Sequence, residues 1–404
     1  MTPITPPAEL PDSLKASFSL MNTTEASHAH VNPASIRSVT DWFYTERWHQ
    51  DRADTAELNW LLHWLPDEQP ERIAEIADAL CISRLQAGEI DSAIVLAEDT
   101  LAKHDDFCLR HTLALAQSAK GDLNQAIGTL EQALNNPAFT EANTPPEQRI
   151  LASLDLARLL QNAKALFKAM RPARQAIALA AQHQEEELLV EALTLLVRQL
   201  IEQGGSDEAW EALKPHLNDT YSAGQKALWT LAFSELSNEL SEADRNRGAL
   251  FFLEANEPDA LIRLWVKRAQ TAKEQDDVLI AYILCLLFRA PIDAAAPLAA
   301  KLLLRDKDRQ TERAPLIAAA AMALAEIPDE RSIKRAHWYR DAMIQLISVA
   351  RHQGVPEAAV KQWAEDQKLL LEHGVIERAA KQLINELAST PNWLLRAIEK
   401  AGQK

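Results

Sequence analysis

The fold is decided by two consecutive stretches of sequence that follow the same pattern. Residues 73–101 read IAEIADALCISRLQAGEIDSAIVLAEDTL, and residues 106–134 read DFCLRHTLALAQSAKGDLNQAIGTLEQAL. In both, apolar residues recur every three to four positions on either side of a glycine, which is the spacing of one face of an α-helix. The pattern therefore predicts helical hairpins that repeat and stack. Equivalent residues lie 33 positions apart and are Gly88 and Gly121, Ala93 and Ala126, and Leu101 and Leu134.

The small residues explain how each predicted hairpin closes. Gly88 and Gly121 suit the left-handed backbone conformation that ends a helix. Ala93 and Ala126 are small enough for the two helices of a hairpin to approach closely. We therefore expect antiparallel helix pairs with alanine at their contact.

These residues resemble the tetratricopeptide repeat family. That family has a small residue late in the first helix, glycine at the turn, alanine in the second helix and an Ala-Leu pair near its end. The equivalents here are Cys81 or Ala114, Gly88 or Gly121, Ala93 or Ala126, and Thr100-Leu101 or Ala133-Leu134. The family's large first-helix residues are replaced by Ala77 and Arg110 and by Arg84 and Gln117. The resemblance implies a divergent all-α superhelix of antiparallel hairpins, with looser copies at 157–181, 190–217 and from Gly374 to Pro391.

Composition restricts the class of protein further. Because a nucleic-acid surface needs a basic footprint, the formal charge of −16 over 404 residues argues against one. The longest apolar run, residues 278–288, is too short to cross a membrane. Cys81, Cys108 and Cys285 lack metal-binding or redox spacing and are typical of buried thiols in a reducing compartment. Without a signal-peptide pattern at the amino terminus, we expect a cytoplasmic protein that does not act at membranes.

The chain is predicted to have four regions. Residues 1–34 form a disordered or loosely docked tail, and residues 35–70 form a helical cap rich in tryptophan. Residues 71–220 hold the repeats. Residues 221–404 form further hairpins, either continuous with the repeats or a second all-α domain. Helices there are expected near 223–240, 243–255, 258–274, 277–290, 292–305, 312–326, 331–352, 356–373 and 375–388.

Catalytic and cofactor motifs are absent from the sequence. It contains no GxGxxG, GxxxxGK[ST], GxSxG or HExxH, so we predict no cofactor, no metal and no enzymatic activity. His28 and His30 lie in the predicted tail, where a rigid metal site is difficult to build. One enzymatic alternative stays open, in which carboxylates beside the tryptophans act as general acid and base. The residues concerned are Trp42, Trp48, His49, Asp51, Asp54, Glu57, Trp60, His63 and Trp64.

The resemblance also implies a binding surface, because first helices of tetratricopeptide-like hairpins line a concave groove. The basic pair that clamps a terminal carboxylate in that family is missing, since Glu75, Asp78, Cys108 and His111 take its place. Acids at one end and arginines further along favour a segment of mixed charge. Carried onto this chain, the groove positions are Glu75, Asp78, Gln86, His111, Leu115, Ser118, Asp155, Arg158, Asn162, Glu191, Thr194 and Arg198.

The leading hypothesis is a non-enzymatic adaptor that binds a protein or peptide segment in this groove. The alternatives are a repeat protein that senses a small molecule or peptide, and the helical enzyme described above. The pattern leaves the partner's identity and the oligomeric state open.

Overall fold

A computed structural model describes most of the chain, and every regular element in it is a helix. The part described lacks strands, which confirms the predicted all-α class. The chain forms two compact units, Met1–Gln199 and Leu200–Lys404. The described residues are 3–290 without 24–27, 29–30, 51–52, 141 and 272–274; 294, 295, 297, 298, 301, 302, 356 and 358; and 375–401 without 386, 388 and 389.

The first unit contains three consecutive hairpins and an amino-terminal group of shorter helices. A π-helical segment, Phe43–Trp48, follows the second helix directly. The last helix of the unit continues into the second unit. The helices are α1 (Asp12–Met21), α2 (Pro33–Trp42), α3 (Thr55–Trp64), α4 (Pro70–Gln86), α5 (Ile90–Leu101), α6 (Phe107–Lys120), α7 (Leu123–Asn135), α8 (Pro146–Asn162), α9 (Leu166–His183) and α10 (Glu186–Glu202).

The hairpins α4–α5, α6–α7 and α8–α9 have the predicted packing. Ala93, Ala126 and Ala173 in their second helices are fully buried. The second helices α5 and α7 contact the first helix of the next hairpin, α6 and α8, and the first helices also contact one another, α4 with α6 and α6 with α8. Successive first helices therefore lie side by side.

Six turns share one pair of backbone hydrogen bonds. In each, a residue of positive φ, between 54° and 96°, donates its amide to the carbonyl three residues earlier, and the next amide bonds five residues back. Asn256 and Arg289 are 33 residues apart, the interval between Gly88 and Gly121. The repeat interval thus recurs in the second unit, where the sequence pattern is weak because glycine is replaced. The six residues are Gly88, Gly121, Lys164, Gly204, Asn256 and Arg289.

The amino-terminal segments pack on the first hairpin. Trp60 and Trp64 are buried in one core with Ile76 and Leu80 of α4. The region predicted as a tail contributes α1, whose Met21 is fully buried in this core. Apolar residues before position 34 are too sparse to show a period, yet Phe18 and Met21 of α1 are buried together with Ile4, Leu10 and Val31 outside that helix.

The second unit is built around aromatic side chains. The ring centroids of Phe233 and Trp265 are 5.4 Å apart, and those of Trp265 and Trp393 are 4.8 Å apart. A short 3-10 helix, Lys214–His216, follows its first helix. The helices are α11 (Ser206–Leu213), α12 (Ala223–Glu235), α13 (Glu242–Glu254), α14 (Pro258–Thr271), α15 (Gln275–Leu287), α16 (Val375–Ile384) and α17 (Asn392–Ala401).

Several predicted helices match observed ones, and others lie wholly or mostly outside the described residues. Helices α12 to α16 overlap those predicted from 223 to 290 and from 375. The helices predicted at 312–326 and 331–352 lie outside the described residues, as do Gly374 and most of 292–305 and 356–373. The domain boundaries expected at residues 34, 70 and 220 stay predictions.

Candidate functional site

The predicted groove residues lie on four first helices, α4, α6, α8 and α10. Several are joined by hydrogen bonds and ion pairs across helix boundaries. We call this set the polar row, defined as Glu75, Asp78, His111, Asp155, Arg158 and Glu191.

The centre of the polar row is a histidine–aspartate pair. His111 Nε2 on α6 lies 2.8 Å from Asp155 Oδ2 on α8, and His111 is only 7% exposed. Burial alone would raise the pKa of the Asp155 carboxyl, but the hydrogen bonds and charges of His111 and Arg158 outweigh it and lower that pKa. This carboxylate is therefore stabilised in its ionised form.

Arg158 is already paired on both sides. Its Nη1 lies 2.8 Å from Asp155 Oδ1, and its Nη2 forms an ion pair with Glu191 on α10. Two carboxylates thus compensate this guanidinium. Arg158 on α8 is therefore not the free cation that a groove would need in order to bind a segment of mixed charge.

The α4 end of the polar row carries carboxylates that take neutral donors. Tyr44 Oη and Trp48 Nε1 both donate to Glu75, the latter at 2.8 Å. Asp78 has a buried carboxylate oxygen, Oδ1, with no donor among the described residues, and the neutral Thr112 hydroxyl acts on the same carboxyl. Negative charge at this end therefore has hydrogen bonds but little compensation by cations.

Two pKa shifts show the effect of this negative charge. Burial raises the pKa of the Asp78 carboxyl; Asp106 and Glu75 add to the rise, while Thr112 and His111 act against it. Burial, with the carboxylates of Asp106, Asp78 and Glu75, raises the pKa of the Cys108 thiol to about 12. Both anions are disfavoured mainly because they are buried, and the negative charges close by add to the effect.

Apolar side chains are exposed one helical turn beyond Asp78 and His111. Ile82 follows Asp78 by four residues on α4, and Leu115 follows His111 by four on α6, so each shares a helix face with a member of the polar row. Ile82 is 41% exposed and Leu115 is 38% exposed. Sequence reasoning included Leu115 but missed Ile82, although the 33-residue interval relates the two positions.

The other predicted groove residues are not joined to the polar row by the contacts described above. Thr194 donates its hydroxyl to the Val190 carbonyl of its own helix at 2.7 Å. Ser118 is half-buried, and three side chains are exposed to solvent: Gln86, Asn162 and Arg198.

The carboxylates of the tryptophan-rich segment have structural roles. Asp54 accepts the Glu57 amide at 2.8 Å and caps α3. Glu57 is buried and pairs with Arg47 at 2.9 Å. Because Asp54 and Glu57 are already held by these partners, they do not form an acid–base pair that is open to a substrate. Asp51 lies outside the described residues.

A separate cleft of about 720 Å³ lies between α2, the end of α3 and the end of α5. His28 Nε2 lies 2.9 Å from the His63 carbonyl at its edge, while Ala29 and His30 lie outside the described residues. Burial and then the nearby His28 lower the pKa of the His63 imidazole. Within the part of the chain described, no group of three or more candidate ligands is placed to hold a metal ion. The cleft's ionisable lining residues are His28, Arg37, His63, Asp67, Glu68, Asp99, Lys103 and His104.

Comparison with known proteins gives no family. No protein-family model matches the sequence, and no curated protein matches it either. No helix within the described ranges is long and apolar enough to span a bilayer.

Two solved structures show weak structural similarity to this chain. One is described as "Structure of Naa15/Naa10 bound to HypK-THB", at 14% identity and a TM-score of 0.19, covering 92% of this chain and 72% of that chain. The other is a circular tandem repeat protein with novel repeat topology and enhanced subunit contact surfaces, at 15% identity and a TM-score of 0.15, covering 92% and 90%. Because these TM-scores are low, any inference about function has to come from this chain's own side chains.

Proposed function

We propose that this protein is a non-enzymatic cytoplasmic scaffold or adaptor that binds a protein segment along the first helices of its hairpins. The observation that carries the proposal is the pair Ile82 and Leu115, which are exposed at equivalent positions of adjacent first helices. Exposed apolar side chains next to polar groups are common where another protein docks. The paired charges of the polar row join α6 to α8 and α8 to α10.

Site-specific crosslinking tests this surface. The photoreactive residue p-benzoyl-phenylalanine is placed at Leu115 on α6 or, as a control, at Val95 on α5. Val95 is also apolar and is 56% exposed, but it lies on a second helix. Circular dichroism confirms that both variants are folded before irradiation in native lysate.

The proposal predicts a stoichiometric protein adduct at position 115 that is absent at position 95. The crosslinked peptide then identifies the segment bound. Identical adducts at both positions, or no protein adduct at position 115, would contradict the proposal.

A ligand-sensing regulatory protein is the alternative, and the separate cleft favours it. Its volume of about 720 Å³ is within the usual range for small-molecule sites. Thermal unfolding of the wild-type chain with a library of small metabolites tests it, using His104→Ala as the comparison. A compound that stabilises wild type and not the variant would favour sensing over scaffolding.

A further inference from the structure

We infer that the face formed by α4 and α6 binds a cationic amphipathic protein segment, with lysine or arginine side chains at Glu75 and Asp78 and apolar side chains on Ile82 and Leu115. This inference rests on the proposed function and specifies the chemistry of the partner. We call these four residues the α4–α6 face.

The spacing of the face fits one amphipathic helix. Asp78 and Ile82 are four residues apart on α4, about 6 Å along the helix axis. A bound helix presents side chains at the same interval, so a basic residue and an apolar residue three or four positions apart would meet both groups. An extended segment would instead place alternate side chains on the face.

Charge decides between a basic and an acidic partner. Glu75 receives hydrogen bonds from Tyr44 and Trp48, and the side chain that acts on the Asp78 carboxyl from α6 is the Thr112 hydroxyl; all three are neutral groups. An acidic segment would add repulsion to carboxylates that are already partly buried, whereas an ammonium or guanidinium group would supply the missing counter-charge. Asp78 Oδ1 is buried and has no donor within the described part of the chain, so a cation bound at the surface would stabilise this carboxylate through its charge.

The end of the polar row on α8 and α10 does not offer a free cation to an acidic segment. Arg158 is held by Asp155 and Glu191, so an acidic segment would have to displace existing ion pairs to reach it. The inference for the α4–α6 face is therefore a cationic segment, and the mixed-charge partner expected from the sequence stays a prediction for the groove as a whole.

Synthetic peptides and the full-length chain test the inference. The first probe is a fluorescein-labelled 16-residue helix with leucine on one face and lysine on the other. The second replaces every lysine by glutamate, and the third has the composition of the first with its apolar stripe scrambled. Binding is measured by fluorescence anisotropy at near-physiological salt, where non-specific attraction to a chain of charge −16 is screened.

Two double variants remove the same amount of charge from different helices. Glu75→Gln with Asp78→Asn neutralises the α4–α6 face while keeping oxygen acceptors. Glu98→Gln with Glu131→Gln neutralises two exposed residues on the second helices α5 and α7. Both proteins are checked for a wild-type circular dichroism spectrum.

We expect wild type to bind the lysine peptide at least tenfold more tightly than either other peptide. We also expect the first double variant to lose at least tenfold in affinity and the second less than twofold. Equal losses in both variants, or no preference for the lysine peptide, would overturn the inference. If crosslinking at Leu115 still identifies a partner, the scaffold proposal survives that failure; without such a crosslink, both fail.

Discussion

His111 Nε2 lies 2.8 Å from Asp155 Oδ2, although the two residues are 44 positions apart. The equivalent turn residues Gly121 and Lys164 are 43 positions apart, so the repeat interval of 33 is exceeded by 10 between these hairpins. The extra residues are accommodated mainly by the loop before α8 and by an additional amino-terminal turn of α8 itself. The insertion thus leaves the side-by-side order of first helices intact. The hydrogen bond between His111 and Asp155 joins α6 to α8.

Asp155→Asn should destabilise the first unit. The change weakens one hydrogen bond and removes a charge that faces both His111 and Arg158, at a cost of about 1–3 kcal/mol. Urea unfolding at pH 7 measures the loss. The control is Asp91→Asn, which removes an exposed ion pair with Lys120 and should leave the unfolding midpoint nearly unchanged.

The same carboxylate predicts a dependence of stability on acid pH. Because the folded pKa of Asp155 is lowered, its contribution is present above the ordinary value of 3.8 and is lost as pH falls through the lower folded value. The free energies of unfolding of wild type and Asp155→Asn should therefore converge at low pH. A constant difference from pH 7 to pH 3 and below would contradict this account.

Asp78→Asn should have the opposite effect and stabilise the protein at neutral pH. The folded pKa of Asp78 is raised, so its favourable contribution exists below 3.8 and disappears as pH rises through the folded value. Removing the charge should gain of order 1 kcal/mol at pH 7, comparable with one unsatisfied buried polar group. Thermal unfolding at pH 7 and pH 4 tests this, since the gain should shrink at the lower pH.

Lys164→Gly should stabilise the third hairpin. Lys164 adopts φ 59° at the turn where the second hairpin has Gly121. A left-handed conformation costs a non-glycine residue roughly 1 kcal/mol, so glycine here removes strain, and Gly121→Ala should introduce it. Opposite shifts in melting temperature are expected, and shifts of the same sign would contradict the equivalence of the two turns.

These turns show how far the sequence could predict the fold. Where glycine marks the corner, as at Gly88 and Gly121, the hairpin and its alanine contact are readable from residue type and spacing. Where Lys164, Asn256 or Arg289 takes the same conformation, the signal disappears although the hydrogen bonds persist. Backbone geometry is held there by helix packing, which residue type alone does not reveal.

The candidate site was predictable in position and not in electrostatics. The repeat frame placed Glu75, His111 and Asp155 on adjacent first helices. It could not show that Tyr44 and Trp48 reach Glu75, because their segment lies outside the repeat. The compensation of Arg158 by Glu191 also follows from side-chain conformations that spacing does not determine.

Gly248→Ala should destabilise the second unit. A Cβ atom at this position would lie 2.5 Å from Phe233 Cε2 and 2.7 Å from Trp229 Cε3, so the aromatic core would have to shift. Such overpacking costs about 1–3 kcal/mol. The matched control is Gly128→Ala in α7, where a Cβ meets nothing within 4 Å and should instead gain up to about 1 kcal/mol of helix propensity. Calorimetry of the two variants should therefore give melting temperatures on either side of wild type.

Cys108 should react slowly with alkylating reagents, although it is only half-buried. With a thiol pKa of about 12, its thiolate fraction at pH 8 is smaller than that of an ordinary cysteine by roughly a thousandfold. Iodoacetamide labelling followed by peptide mass spectrometry measures the rate at this residue alone. Glu75→Gln with Asp78→Asn should accelerate it, because two of the charges that oppose thiolate formation are gone. Glu98→Gln with Glu131→Gln should leave it unchanged. Equal acceleration in both variants would mean that the charge of the whole chain, rather than that of the α4–α6 face, supplies the electrostatic part of the rise in the Cys108 pKa, which adds to the effect of burial.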